Sequence, residues 1–309
     1  MKLSPSDTIG LIAPSGFIRE GQLEQALRTV KLLGLKPYYT DRVFKREDYL
    51  AGSEQNRLDD LHHHFENKDV KAIWCIRGGF GATRLLPHIN YNLIKNNHKI
   101  FMGYSDITAL LYAFYKKSDL LSFHAPMAGE LQTLYNINNL KEVLFDEQKK
   151  IEYTRSSINE YNCTYKYDIF NKGKSVIGKL IGGNLSLMIS LIGTEYDIDY
   201  HNKIVFIEEI AEPFYKIDRM LTQLLQATNF SKAAAVVFGV FNKCEGDENS
   251  DSLQLHGLFQ EKLKNMNVPI IAGFSFGHVQ DNAVIPFGAI AKIDTRHHCE
   301  KYGGNIEIL

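Results

Sequence analysis

The residues best placed to do chemistry lie in Phe101-Met-Gly-Tyr-Ser-Asp-Ile-Thr108. An apolar run enters a Gly-Tyr-Ser-Asp turn, and Ile107, Leu110, Leu111 and Phe114 then recur at helical spacing. Strand, sharp turn and helix with a serine at the apex is the layout of a nucleophile elbow. It exposes a hydroxyl and leaves the helix's first N–H groups able to receive an oxyanion. In the usual elbow a glycine stands two residues after the serine; here that position is Ile107. The same serine could instead cap the helix, a position serine favours. Asp106 is suited either to capping or to lending its N–H to the oxyanion.

A serine nucleophile needs a base, and the base needs an orienting carboxylate. Of the 11 histidines, His278 follows the apolar run Val268–Ala272, at the carboxyl end of an expected strand where functional groups of parallel α/β sheets gather. Gly277 beside it permits close approach. His124, in Ser122-Phe-His-Ala-Pro126, reads as structural, and His62-His-His64 as a solvated helical face. For the carboxylate, Glu208 and Glu209 close the Lys203–Ile207 run, and strand alternation sends them to opposite sides. Cys75 lies inside the apolar Ala72–Ile76 run and reads as core; Cys244 has no base near it in sequence. Arg77-Gly-Gly-Phe-Gly81 either cradles an anion with its backbone or is a tight strand-to-helix turn. It matches neither a Walker motif nor Gly-x-Gly-x-x-Gly.

These groups require a frame. Thr8–Ala13, Ala72–Ile76 and Lys99–Gly103 read as buried strands, each followed by a turn and a helical pattern. That repeat indicates an α/β fold, a parallel sheet flanked by helices. The pattern breaks between about residues 130 and 175, which are rich in Tyr, Asn, Lys and Asp. The expected division is an N-terminal domain over 1–150 carrying the serine, a linker over 151–175, and a C-terminal domain over 176–309 carrying the acid and the histidine. The polar Glu245–Asp251 segment reads as a mobile surface loop.

Bulk composition narrows the partners. A chain of 309 residues is long enough for about two domains. A net charge of −1 gives no electrostatic case for nucleic acid or an anionic membrane. No apolar run approaches the ~18 residues of a membrane span, and the N-terminus carries no signal-peptide pattern, so a cytoplasmic location is expected. Four widely spaced cysteines without Cys-x-x-Cys pairing argue against a disulfide framework or zinc ribbon.

Taken in order, the motifs resemble the LD-carboxypeptidase family of serine peptidases, which includes murein tetrapeptide carboxypeptidases and microcin C immunity peptidases. The matching segments are Gly10–Ser15, Arg77–Ala82 with Arg84-Leu-Leu86, Gly103–Thr108, Gly178–Asn184, Phe206–Glu209 with Tyr215–Leu221, and Gly277-His278 with Pro286-Phe-Gly288. The resemblance implies a catalytic triad of Ser105, Glu208 and His278. It implies oxyanion donors from the N–H groups of Asp106 and a glycine of the Arg77 turn, Gly79. It also implies a C-terminal domain of β-barrel-like character, a homodimer, and no metal or organic cofactor. Two positions depart from the family pattern: Phe80 stands where tyrosine is frequent, and Glu209 where aspartate is more usual. The expected activity is release of the terminal D-alanine from a cytoplasmic murein tetrapeptide. The alternative is a microcin C-type peptidase acting on a peptidyl-nucleotide, which needs an aromatic platform for the base. Arg77, Arg84 and Lys179 are cationic candidates for the peptide's terminal carboxylate.

Overall fold

In the computed structural model, residues 2–145, 151–152, 156, 168–171, 173–244, 255–296 and 306–309 are described. Two compact units form. The first comprises Met1–Glu147 with Val284–Gly288, and the second Gln148–Ala283 with Ala289–Leu309. Most of the expected linker, the Glu245–Asp251 loop, Cys163, Cys299, His297 and His298 lie outside the described residues.

The first unit is built on a six-stranded sheet. Its strands are β1 (Thr8–Ile12), β2 (Lys36–Tyr38), β3 (Val70–Cys75), β4 (Ile100–Gly103), β5 (Ser122–His124) and β12 (Ile285–Phe287). The order is β12-β5-β4-β3-β1-β2. The five N-terminal strands are parallel, and β12 pairs antiparallel with β5 at the edge. The short edge strand β2 carries Pro37, which an edge tolerates because one backbone donor is dispensable there. The principal helices are α1 (Gln22–Leu32), α2 (Glu54–Glu66), α3 (Ala82–Leu85), α4 (Tyr91–Asn96), α5 (Thr108–Ser118) and α6 (Leu134–Phe145). Phe101 of β4 stacks on Phe65 of α2 (6.2 Å) and meets Phe114 of α5 edge-on (4.9 Å), so helix and strand interlock behind the serine turn.

The His62–His64 reading needs correction. Positions 57, 58, 61, 64 and 65 of α2 recur at helical spacing and are all buried, which takes His64 inward. Its ring packs so tightly on β1 that a Cβ at Gly10 would come within 2.4 Å of it. His64 Nδ1 lies 2.8 Å from the Asp60 carbonyl, and burial lowers its pKa to about 4. Its neighbour His63 bonds the Tyr38 hydroxyl at 2.7 Å.

The second unit holds an eight-stranded mixed sheet. It comprises β6 (Ile151–Glu152), β7 (Asp168–Phe170), β8 (Ser175–Asn184), β9 (Lys203–Ile210), β10 (Ala235–Asn242), β11 (Ile270–Ala272), β13 (Ile290–Asp294) and β14 (Ile306–Ile308). The order is β6-β14-β13-β8-β9-β10-β11-β7. Strands β8 to β11 run parallel and the flanking pairs antiparallel. The sheet curls as a half-barrel, which is the form taken by the expected barrel-like character. Helices α7 (Leu185–Leu191), α8 (Phe214–Ala227) and α9 (Leu255–Leu263) accompany it. Phe259 of α9 stacks face to face on Phe238 of β10 at 3.8 Å. Among the described residues no helix is long and apolar enough to cross a membrane.

Candidate active site

Ser105 occupies the turn between β4 and α5, where Ser105–Ile107 form one turn of 3-10 helix. Its φ is 58°, in the left-handed region that a residue with a Cβ enters only at a cost of about 1–3 kcal/mol. An ordinary N-cap residue has extended backbone, so this conformation is that of the sharp turn and not of a simple cap. The glycine two residues before the serine, Gly103, is present and is sterically required. A Cβ on Gly103 would lie 2.9 Å from Ile107 Cγ2 and 3.2 Å from Cys75 Cβ. The buried Ile107 therefore folds back over a residue that must be glycine.

The glycine turn after β3 lies against this serine. A Cβ at Gly78 would stand 3.2 Å from Ser105 Cβ and 3.3 Å from Ser105 Oγ. Gly79 follows at φ 114° and packs on the backbone of Gly16. The Gly78 carbonyl accepts the Gly16 N–H at 3.1 Å. Asp106 is buried, and its Oδ2 accepts the Ala82 N–H at 2.8 Å. The aspartate thus ties down the start of α3, not its own helix. Burial raises its carboxyl pKa, opposed by the nearby Ser15 hydroxyl, the Ala82 N–H hydrogen bond and the Arg57 charge.

Arg77 folds away along the neighbouring loop, with Nη1 donating to the Phe17 carbonyl and the guanidinium 5.4 Å from the Phe17 ring centre. Arg84 is ion-paired with Glu54 of α2, and Lys179 lies exposed on β8. The two cysteines within reach of description are buried, and burial raises both thiols, that of Cys244 to about 12. Neither is a nucleophile under these conditions. His124 is buried edge-on to Tyr104, as a structural histidine. Trp74 is fully buried with Nε1 donating to the Pro126 carbonyl at 2.8 Å, so it offers no platform to a ligand.

In the second unit, His278 Nδ1 lies 2.7 Å from Glu208 Oε2. Glu208 is fully buried and the histidine side chain is 15% exposed. A carboxylate on Nδ1 fixes the tautomer with the proton on that nitrogen and leaves Nε2 as the basic one. The histidine stands six residues beyond β11, in a loop anchored at several points. Gly277 forms an isolated bridge with Val240, its N–H reaches Asn282 Oδ1 (3.0 Å), and Asn242 Nδ2 donates to the His278 carbonyl (2.6 Å). Gly277 has φ 111°, and a Cβ there would lie 2.8 Å from Glu208 Cβ. Only glycine lets the loop pass the carboxylate so closely.

The adjacent acids divide as strand alternation requires, but both are strand residues, because β9 extends to Ile210. Glu209 turns to the other face. Its Oε1 accepts from Asn184 Nδ2 and the Ile210 N–H, both at 2.8 Å, and its Oε2 from the Ser186 N–H (2.8 Å) and Oγ (2.7 Å). It holds the start of α7. Burial raises its pKa, reinforced by the Glu208 charge. Asn242, Asn282 and Arg57, which hold the loops of these sites, carry no spacing signal in the sequence.

Comparison with known proteins accounts for both units. The description "LD-carboxypeptidase N-terminal domain" matches residues 9–125, and "LD-carboxypeptidase C-terminal domain" matches residues 177–293. The chain belongs to the LD-carboxypeptidase family. It is 35% identical to a "Probable murein peptide carboxypeptidase" of Bacillus subtilis over 297 residues, 95% of this chain and 90% of that one. It is 30% identical to the "Murein tetrapeptide carboxypeptidase" of Pseudomonas aeruginosa over 291 residues, 93% and 92% of the two chains. An MccF-like protein from Bacillus anthracis has the same fold, with a TM-score of 0.86 at 29% identity over 100% of this chain and 98% of that one. The family match makes the chain a serine-type LD-carboxypeptidase, as the ordered motifs imply.

Proposed function

We propose that the protein releases the terminal D-alanine from murein tetrapeptide by hydrolysing an L,D-amide bond, with Ser105 as nucleophile, His278 as general base and acid, and Glu208 as the group that orients the histidine. The observation that carries this is the buried Glu208–His278 pair at 2.7 Å, which keeps the proton on Nδ1 and makes Nε2 the basic nitrogen of the ring. In the proposed reaction, Ser105 Oγ attacks the scissile carbonyl carbon as its proton passes to His278 Nε2. The oxyanion is held by the Asp106 N–H and an N–H of the Gly78-Gly79 turn; one such donor is worth about 10²–10³ in rate. Glu208 stabilises the imidazolium, which then protonates the departing amine of D-alanine. Water, deprotonated by His278, resolves the acyl-enzyme. Every step uses side chains and backbone of the chain itself.

The reading extends to a cytoplasmic location, to a homodimer, which the family resemblance supports, and to no nucleic-acid or membrane partner, supported by the near-zero net charge. Light scattering on the purified protein tests the dimer. The deciding experiment for the reaction is mass spectrometry of wild type and Ser105→Ala incubated with murein tetrapeptide. The expected result is D-alanine from the wild type alone, with a loss of about 10⁶ in kcat for the variant. Equal release by both removes Ser105 from the mechanism.

A second reading, hydrolysis of a peptidyl-nucleotide, is favoured by the MccF-like fold and by an exposed aromatic pair. Tyr49 and Phe80, each at least half exposed, have ring centres 5.9 Å apart, and Phe80 belongs to the glycine turn. Turnover of a peptidyl-adenylate in preference to the tetrapeptide would establish it.

A further inference from the structure

The turn that lies against Ser105 is held from below by a buried cation. Arg57, in the first turns of α2, is 1% exposed. Its Nη1 donates to two carbonyls at once, Pro14 O and Gly81 O, each at 2.8 Å. Pro14 belongs to the loop after β1, and Gly81 to the turn after β3. Those two loops also meet directly, through the Gly16 N–H on Gly78 O. Gly81 has φ 122°, and a Cβ there would approach Arg57 Nη1 to 2.9 Å, so the guanidinium fits a bare backbone. One residue further on, the Ala82 N–H is taken by Asp106, whose own backbone adjoins the serine.

Folding alone does not call for this arrangement. Leu58 and Leu61 fill neighbouring buried positions of α2 with apolar side chains. A buried cation adds little net stability over an apolar side chain of similar volume. What Arg57 adds is a fixed distance between two loops, one of which carries the glycines beside the nucleophile.

We propose that Arg57 is a positioning residue for the reaction: by joining Pro14 and Gly81 through one nitrogen, it sets where the Gly78-Gly79 backbone stands relative to Ser105 Oγ. The inference rests on the proposed roles of Ser105 and of this turn. A lysine at position 57 keeps the charge but its shorter stem does not carry Nζ to where Nη1 stands between the two carbonyls, and a methionine keeps the volume but loses both bonds.

The test compares wild type, Arg57→Lys and Arg57→Met by two readouts, alongside thermal melting. One is kcat and KM for D-alanine release. The other is the rate of labelling by an alkyl fluorophosphonate, in which a Ser105 Oγ–P bond forms, fluoride leaves and the hydroxyl proton goes to the base. The phosphonyl oxygen then needs the same N–H donors as the oxyanion, without any peptide. Expected for both variants are parallel losses of about 10² in kcat and in labelling rate, the scale of a misplacement near 1 Å. KM should stay within about threefold, and the pH profile of kcat/KM should not move, because His278 and Glu208 are untouched. A loss of kcat with full-rate labelling overturns the inference, as does a KM rise that accounts for the whole loss, or full activity in Arg57→Lys. If Arg57→Met does not melt cooperatively, Arg57→Lys alone decides. If wild type labels at Ser105 but releases no D-alanine, the substrate reading fails and the labelling rates still decide on Arg57. Absence of label on wild-type Ser105 overturns both.

Discussion

Where Ser105 is fixed by backbone sterics, His278 is fixed by side-chain hydrogen bonds. The serine turn holds its shape because β4 ends in a glycine on which Ile107 closes down, with φ at the serine at 58°. The histidine loop follows a short strand and depends on Asn242, Asn282 and Glu208, each bonding one part of it. The first device is visible in local sequence, because strand, glycine and helix are consecutive. The second draws on Glu208 and Asn242, 70 and 36 positions away from His278. It follows that the two sides should respond differently to substitution: the loop to loss of a charge, the elbow to added volume.

The sharpest way to separate them is Glu208→Gln. The amide is isosteric but favours the wrong histidine tautomer, so kcat should fall by about 10⁴ with little change in folding. Measuring kcat together with the melting temperature checks this, and a loss below tenfold would assign the orienting role elsewhere. Gly103→Ala attacks the other side. The added methyl meets Ile107 at 2.9 Å, and overpacking of this kind costs about 1–3 kcal/mol. Denaturant melts should register that cost, and labelling of Ser105 should slow while the histidine's pH profile stays in place. If stability is unchanged, the elbow is softer than its geometry implies.

The smallest effect belongs to a titration confined to the frame of the first unit. Burial lowers His64 to about 4, so the unfolded chain binds a proton between pH 6.5 and 4 that the folded chain does not. That contribution to stability is complete above pH 6.5 and is lost as pH falls towards 4. Asp60, raised to about 6 by burial, acts in the opposite sense: its folded form takes up a proton first, so stability rises as pH falls through 6. The two windows overlap and largely offset each other. His64→Gln removes one of them, so its melting temperature should fall less than that of wild type, or rise, between pH 6.5 and 4. Identical slopes would mean that the ring titrates alike in both states.

Much of this is legible in the sequence. Strands β1, β3 and β4 declared themselves as apolar runs ending in glycine-bearing turns, and the Gly103–Thr108 segment gave the elbow. Ser105, Glu208 and His278 were singled out by strand-end placement and by an ordered set of motifs. What remained hidden depends on three-dimensional neighbours. Strand β2 is three residues long and contains a proline, so period-two patterning had nothing to act on. The division of labour between Glu208 and Glu209 was open because both are buried acids on one strand, and only Asn184 and Ser186 on one face and His278 on the other distinguish them. Arg57 carries no signal and His64 reads wrongly as solvated, because polar residues on a buried helix stripe look like solvated ones until the stripe is known to face the sheet.

Strand β12 has a consequence for the order in which the molecule can be completed. Residues 285–287 pair with β5, and Phe287 packs against Tyr112 and Tyr115 of α5, the helix that begins at the serine turn. The sheet that bears Ser105 is therefore finished by a segment emerging from the ribosome only after both Glu208 and His278 have been made. Until then β5 is an unprotected parallel edge, the kind that invites pairing with another chain. The elbow's own sheet gains its edge from a strand that cannot arrive before the groups proposed to activate the serine.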